Sequence, residues 1–112
     1  MNKAHPIALA TTLLFCQGQP ASASERLEDG KRTYEKMCAT CHATGVDGAP
    51  IVGNKEDWQD RSHLWEAVLL EHAEKGYVKM PARGAAEHAT DYDISVAAEY
   101  MLTLTHPELK AD

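Results

Sequence analysis

The run in this chain whose residue types and spacing prescribe a chemistry is Cys38-Ala39-Thr40-Cys41-His42. Two thiols separated by two residues and followed at once by an imidazole form the C-x-x-C-H signature of c-type haem attachment. The spacing has a chemical reason. On a helical turn the two thiols match the separation of the two vinyl groups on one edge of a porphyrin, and each can add across one of them. His42 is then carried beneath the ring with its imidazole directed at the iron. Two other readings of these residues are weaker. A redox-active dithiol goes with a βαβ pattern, which the chain lacks. A structural zinc site needs further ligands at a recognisable spacing, and there is no second Cys pair. One motif and no internal repeat imply one haem.

A second iron ligand is sought among the methionines. Met37 is fixed beside Cys38 and cannot easily reach the opposite ring face. Met101 falls on an apolar helical stripe, where core packing explains a thioether. Met80 sits in a loop and precedes Pro81, whose ring stiffens the backbone. That loop can close over the far face of a haem, so Met80 is expected to ligate iron opposite His42. His63 and His72 fall on a middle helix as solvated or satisfied side chains. His88, in a loop, is the alternative sixth ligand. His106, before Pro107, is expected to be exposed.

The elements that must hold these groups are helical. Leu27, Gly30 and Tyr34 recur at helical spacing from about Arg26 into the Cys motif, with Gly30 marking a close helix crossing. Gly45, Gly48, Pro50 and Gly53 punctuate a loop. Ser62 is placed to cap a second helix with Trp65, Val68, Leu69 and Ala73 on one face, ending at Gly76. Residues 77–89 read as a second loop. Thr90 with Asp93 resembles a capping box that opens the last helix, with Ile94, Ala97, Ala98 and Met101 on its apolar stripe. No strand pattern alternates anywhere. The expected fold is all-α, with three to five helices wrapped around one covalently bound haem.

Length and charge narrow the function. At 112 residues, 44% hydrophobic and 25% charged, the chain has room for one small globular domain. A formal net charge of −6 argues against a nucleic-acid partner. No apolar run reaches the length of a membrane span. Lys3, the short apolar run from Ile7 to Cys16 and the small residues Ala21-Ser22-Ala23 follow the order of a secretory signal peptide. Residues 1–23 are therefore read as cleaved, Cys16 with them, and residues 24–112 as the mature domain in the periplasm. A domain of that size is marginal for a self-sufficient core, so a bound group is expected to complete the interior.

The run from Cys38 to Pro50 closely resembles the bacterial cytochrome c5 group, within the class I c-type cytochromes. Trp58 with Arg61, Ala73 with Gly76, Met80-Pro81 with Gly84, and Ala98-Glu99-Tyr100-Met101 extend the likeness over most of the chain from Gly30 onward. The resemblance implies that the Pro50 carbonyl accepts the Nδ1 proton of His42. It also implies that Trp58 and Arg61 lie near a haem propionate, and that Tyr100 packs on Gly30 and Tyr34. Two departures stand out. The extra Cys pair some members carry is absent, and Ala85 stands where a second Gly usually follows Met-Pro. With both axial positions filled, the implied protein is an electron carrier and not an enzyme, a monomer passing single electrons between redox partner proteins. It would serve respiratory complexes or dehydrogenases on one side and an oxidase or reductase on the other. The alternatives are a haem-bearing subunit of a periplasmic oxidoreductase complex, for example in sulfur-compound oxidation, and a ligand-binding haem sensor. The acidic charge favours basic or uncharged docking faces on partners, with rates that fall as salt rises.

Overall fold

The computed structural model describes residues 1–5, 18–19, 21–61 and 66–108. The apolar run from Ile7 to Cys16 lies outside the described residues, as do Ser62, His63 and Trp65. Among the described residues five α-helical segments follow one another: α1 (Ala23–Thr33), α2 (Ala39–His42), α3 (Lys55–Trp58), α4 (Glu66–Lys75) and α5 (Asp91–Thr105). Among the described residues there is no strand, only an isolated bridge between Tyr77 and Met80. The all-helical architecture is as expected.

Helix α1 begins earlier than its apolar spacing indicates. Ser22 caps it, its hydroxyl accepting from the Glu25 N–H while the Glu25 carboxylate accepts the Ser22 N–H at 2.7 Å. This S-x-x-E box is itself a start signal, overlooked where Ser22 is read as part of a cleavage site. The helix then widens into a π turn over Tyr34–Cys38, in which the Ala39 N–H reaches back to the Tyr34 carbonyl. Such turns insert one residue into a helix and occur often at functional sites. Here the insertion sits immediately before the Cys motif.

The core is the crossing of α1 with α5. Gly30 is buried, and a Cβ placed there would fall inside van der Waals contact of the Val96 carbonyl oxygen and 2.9 Å from the Tyr100 Cβ. Only hydrogen fits, so the two helices meet backbone to backbone. The Tyr34 and Tyr100 rings pack beside this point with centroids 5.5 Å apart. Arg26 reaches across to pair with Glu99, bonds Ser95 at 3.2 Å and lies over the Tyr92 ring. Tyr92 in turn donates to Asp29 at 2.7 Å.

Helix α5 presents two faces. Ile94 and Ala97 of the expected stripe are buried, whereas Ala98 and Met101 are half-buried. Among the described residues the most deeply buried is Val96, which that stripe omits. It belongs with Tyr92, Ser95, Glu99 and Tyr100 to the face turned toward α1, and that face is too polar to register as an apolar repeat. His106 also departs from expectation. Its side chain is 16% exposed and sits 3.2 Å from Glu108, because it closes the C-terminal end of α5 and does not trail into solvent.

The Thr90 capping box is present. Asp93 accepts the Thr90 N–H at 2.9 Å and the Thr90 hydroxyl at 2.7 Å, and these bonds hold its carboxyl below the ordinary aspartate range. A depressed folded value means that the stabilisation is present above the unfolded value and is lost as pH falls through the folded one. Asp93→Asn is therefore expected to cost about 0.5 kcal/mol at neutral pH. In urea titrations at descending pH, its midpoint should converge on the parent's in acid.

Candidate functional site

The Cys-x-x-Cys-His run occupies the end of the π turn and all of α2. Cys38 is half-buried and Cys41 is exposed. Burial, with Cys41 nearby, pushes the Cys38 thiol up to about 11 and keeps it protonated at neutral pH. His42 is buried at 7% exposure, and its Nδ1 lies 2.9 Å from the Pro50 carbonyl oxygen. A carbonyl can only accept, so Nδ1 carries the proton and Nε2 presents its lone pair.

The backbone around that carbonyl is held from several sides. The Val52 N–H donates to the His42 carbonyl at 2.8 Å, closing a loop. Next to Pro50, the Ile51 N–H donates to Asp57 at 3.0 Å and the Ile51 carbonyl accepts from the Trp58 indole at 2.9 Å. Further along, the Gly53 N–H donates to the buried Thr105 hydroxyl at the end of α5. Helix α3 is thus a clamp on the backbone that faces His42. It falls within the stretch that Gly45, Gly48, Pro50 and Gly53 mark as a loop, although Asn54 followed by Glu56 and Asp57 is a helix-start signal, and Asn54 does cap it. Asp57 and Thr105 are the positioning groups missed with it.

Trp58 is buried, and its ring lies nearly parallel to that of His42 with centroids 6.1 Å apart. Its indole N–H is directed to Ile51. Arg61 is exposed and donates to the Asp57 carbonyl at 2.7 Å, across the C-terminal end of α3.

Helix α4 stops at Gly76, whose φ of +86° is open to glycine. The Tyr77 and Met80 backbones then bond each other in both directions, at 2.9 and 2.8 Å, so Met80 emerges from a closed four-residue turn. Met80 is half-buried and His88 is exposed. After Pro81 a 3-10 turn over Ala82–Ala85 packs on α4, anchored by Arg83, which donates to the Ala89 carbonyl at 2.6 Å and pairs with Asp91. Within it Ala85 has φ +64°, so the position keeps left-handed geometry without glycine. An alanine there costs roughly 1 kcal/mol. Ala85→Gly is accordingly expected to raise the thermal midpoint by several degrees, as calorimetry would show.

These residues suit a porphyrin. The groups that could hold it are two thiols, an imidazole protonated on Nδ1 and a loop thioether. Val68, Leu69, Leu70, Ala73, Met101 and Leu102 are apolar and half-buried. Among the described residues no three His, Cys, Asp or Glu side chains gather to hold a bare metal ion.

Residues 25–101 match the family model described as cytochrome C oxidase, cbb3-type, subunit III. Cytochrome c-555 of Chlorobaculum tepidum is 42% identical over 77 residues, 65% of this chain and 71% of that protein. The chain belongs to the class I c-type cytochromes. Cytochrome c5 of Ectopseudomonas mendocina is 29% identical, over 72% of this cytochrome and 95% of its relative. The cytochrome c subunit of 4-cresol dehydrogenase [hydroxylating] from Pseudomonas putida is 30% identical, over 90% and 81%. Among solved structures, a chain in an electron-transfer complex of nitrite reductase with cytochrome c superposes with a TM-score of 0.64 at 32% identity, covering 69% of this chain and 94% of its own. The protein is a small cytochrome c and an electron carrier, and its family carries covalent haem. No described helix is long and apolar enough to cross a membrane.

Proposed function

We propose that this cytochrome is a periplasmic one-electron shuttle with a single haem c, tethered by Cys38 and Cys41 and ligated through His42 and Met80. When bound, the haem supplies an iron that alternates between ferrous and ferric states. The chain does the rest. His42, fixed by Pro50, would hold the iron through Nε2, and the Met80 turn would hold it through its sulfur. With two protein ligands the iron would have no place for a substrate, which suits electron transfer and disfavours catalysis. Trp58 walls the pocket beside His42, with Arg61 as the nearby cation for a propionate. The N-terminal segment, read as residues 1–23, directs export, and its cleavage removes the Ser22 cap so that the mature chain begins within α1.

The observation that carries this reading is the 2.9 Å contact from Nδ1 of a buried His42 to the Pro50 carbonyl. Such a contact fixes both tautomer and ring orientation of a metal-ligating histidine. Absorption spectra of the purified protein test it. The haem should stay on the chain in a denaturing gel and be lost in Cys38→Ser/Cys41→Ser, and the reduced native protein should refuse carbon monoxide. Ready carbon monoxide binding would instead make it a ligand-binding haem protein.

A second reading has one specific support, the likeness to a dehydrogenase's cytochrome subunit over nine tenths of the chain. A permanent subunit would co-purify with an enzyme, whereas a shuttle purifies as a monomer and meets partners transiently. The docking face on such partners is basic or uncharged, matching the acidic charge of this chain.

A further inference from the structure

We propose that His72 is a positioning residue for Met80, holding the ligand turn against α4 through a ring stack with Tyr77; this rests on the reading of Met80 as the sixth ligand. The His72 and Tyr77 rings lie 3.9 Å apart between centroids and 7° from parallel. His72 is in the last turn of α4 and Tyr77 follows the point where the helix stops, so the stack ties the turn to the helix it has just left.

The geometry makes Tyr77 and Met80 move together. Each donates its N–H to the other's carbonyl, which closes a ring of four residues. The ring is folded tightly onto the end of α4: a Cβ at Gly76 would stand 2.9 Å from the Ala82 nitrogen and 3.0 Å from the Met80 carbonyl oxygen. One element opposes this arrangement. Val78, inside the ring, is β-branched and has φ +52°, a conformation such residues rarely adopt. The turn therefore carries strain that favours opening and needs an external hold.

Burial supplies little of that hold, since Tyr77 is 53% exposed and Val78 is 86% exposed. The stack supplies it, because it fixes the Tyr77 ring on a helix while the Tyr77 backbone fixes Met80. A ring pair of this kind shifts a local equilibrium by about three- to ten-fold. An added ligand that must displace the thioether binds with an apparent affinity proportional to the fraction of chains in which the turn is open. His72 thereby sets how firmly the sulfur stays on the iron.

The test is imidazole titration of the ferric holoprotein, followed by its visible spectrum. His72→Ala should bind imidazole about three- to ten-fold more tightly than the parent. His72→Phe, which restores a flat ring, should fall within about two-fold of the parent. Tyr77→Leu, at an exposed position the fold can spare, should behave as His72→Ala does, and the double variant should add nothing further. Parental affinity in His72→Ala, or failure of His72→Phe to rescue, overturns the role of His72. Met80→Ala separates the two levels of the argument. If Met80 is the ligand, that variant binds imidazole far more tightly than any other, whatever His72 does. If its affinity equals the parent's, the ligand assignment itself has failed.

Discussion

Met80→Ala should lower the reduction potential and open the iron to carbon monoxide while the haem remains covalently attached. In the proposed site attachment would depend on Cys38 and Cys41, and His42 would be the other iron ligand, all of which lie on the π turn and α2. None of these belongs to the Tyr77–Met80 turn. A soft thioether favours ferrous iron, so its loss moves the potential down. The expected drop is on the order of 0.1 V or more, a part of the roughly 0.8 V that axial ligation spans across haem proteins. Potentiometry and carbon monoxide difference spectra on the same preparation check both effects. Met101→Leu is the control. Met101 is half-buried on α5, and a swap of similar volume there costs less than about 1.5 kcal/mol. It should leave spectrum and potential nearly untouched. A six-coordinate, carbon-monoxide-resistant Met80→Ala would remove Met80 from the iron and make His88→Ala the next variant.

Gly30→Ala should be the most damaging single-methyl change in the chain. Alanine favours an isolated helix over glycine by about 1 kcal/mol, so α1 alone would gain. In the folded protein the added carbon meets the Val96 carbonyl oxygen and, at 2.9 Å, the Tyr100 Cβ. Neither is the movable end of a flexible side chain. The two helices must separate, and the Tyr34–Tyr100 contact and the Arg26–Glu99 pair across the same crossing loosen with them. Overpacking of this kind costs about 3 kcal/mol. Guanidinium titration of the holoprotein should show it as a lower midpoint, with Lys31→Ala, exposed on the same helix, close to the parent. An unchanged or raised midpoint in Gly30→Ala would mean that α1 and α5 do not approach this closely.

The chain by itself determined whatever depends on near neighbours. Cys38, Cys41 and His42 are legible because their chemistry lies in a covalent spacing, and Thr90 with Asp93 because a cap is local. Helix α4 and its stop at Gly76 follow from period and from a residue that tolerates positive φ. Gly30 was readable as a crossing because a glycine inside a helix needs a reason. The likeness to known cytochromes added Pro50 as the partner of His42, and the two lie at hydrogen-bond distance.

Tertiary structure decided the rest. Val96 is the most buried of the described residues because α1 covers the polar-lined face of α5, which no apolar period marks. Asp57, Trp58 and Thr105 matter to His42 through the Ile51 and Gly53 backbones, and backbone hydrogen-bond partners leave no trace in side-chain type. His106 is sheltered because α5 ends there, not because histidine before proline prefers shelter. The His72–Tyr77 stack spans five residues across a helix end, a separation that places the two rings far apart in a continuing helix. They meet because Gly76 turns the chain back, and where a turned chain lands is fixed by the packing of the whole domain.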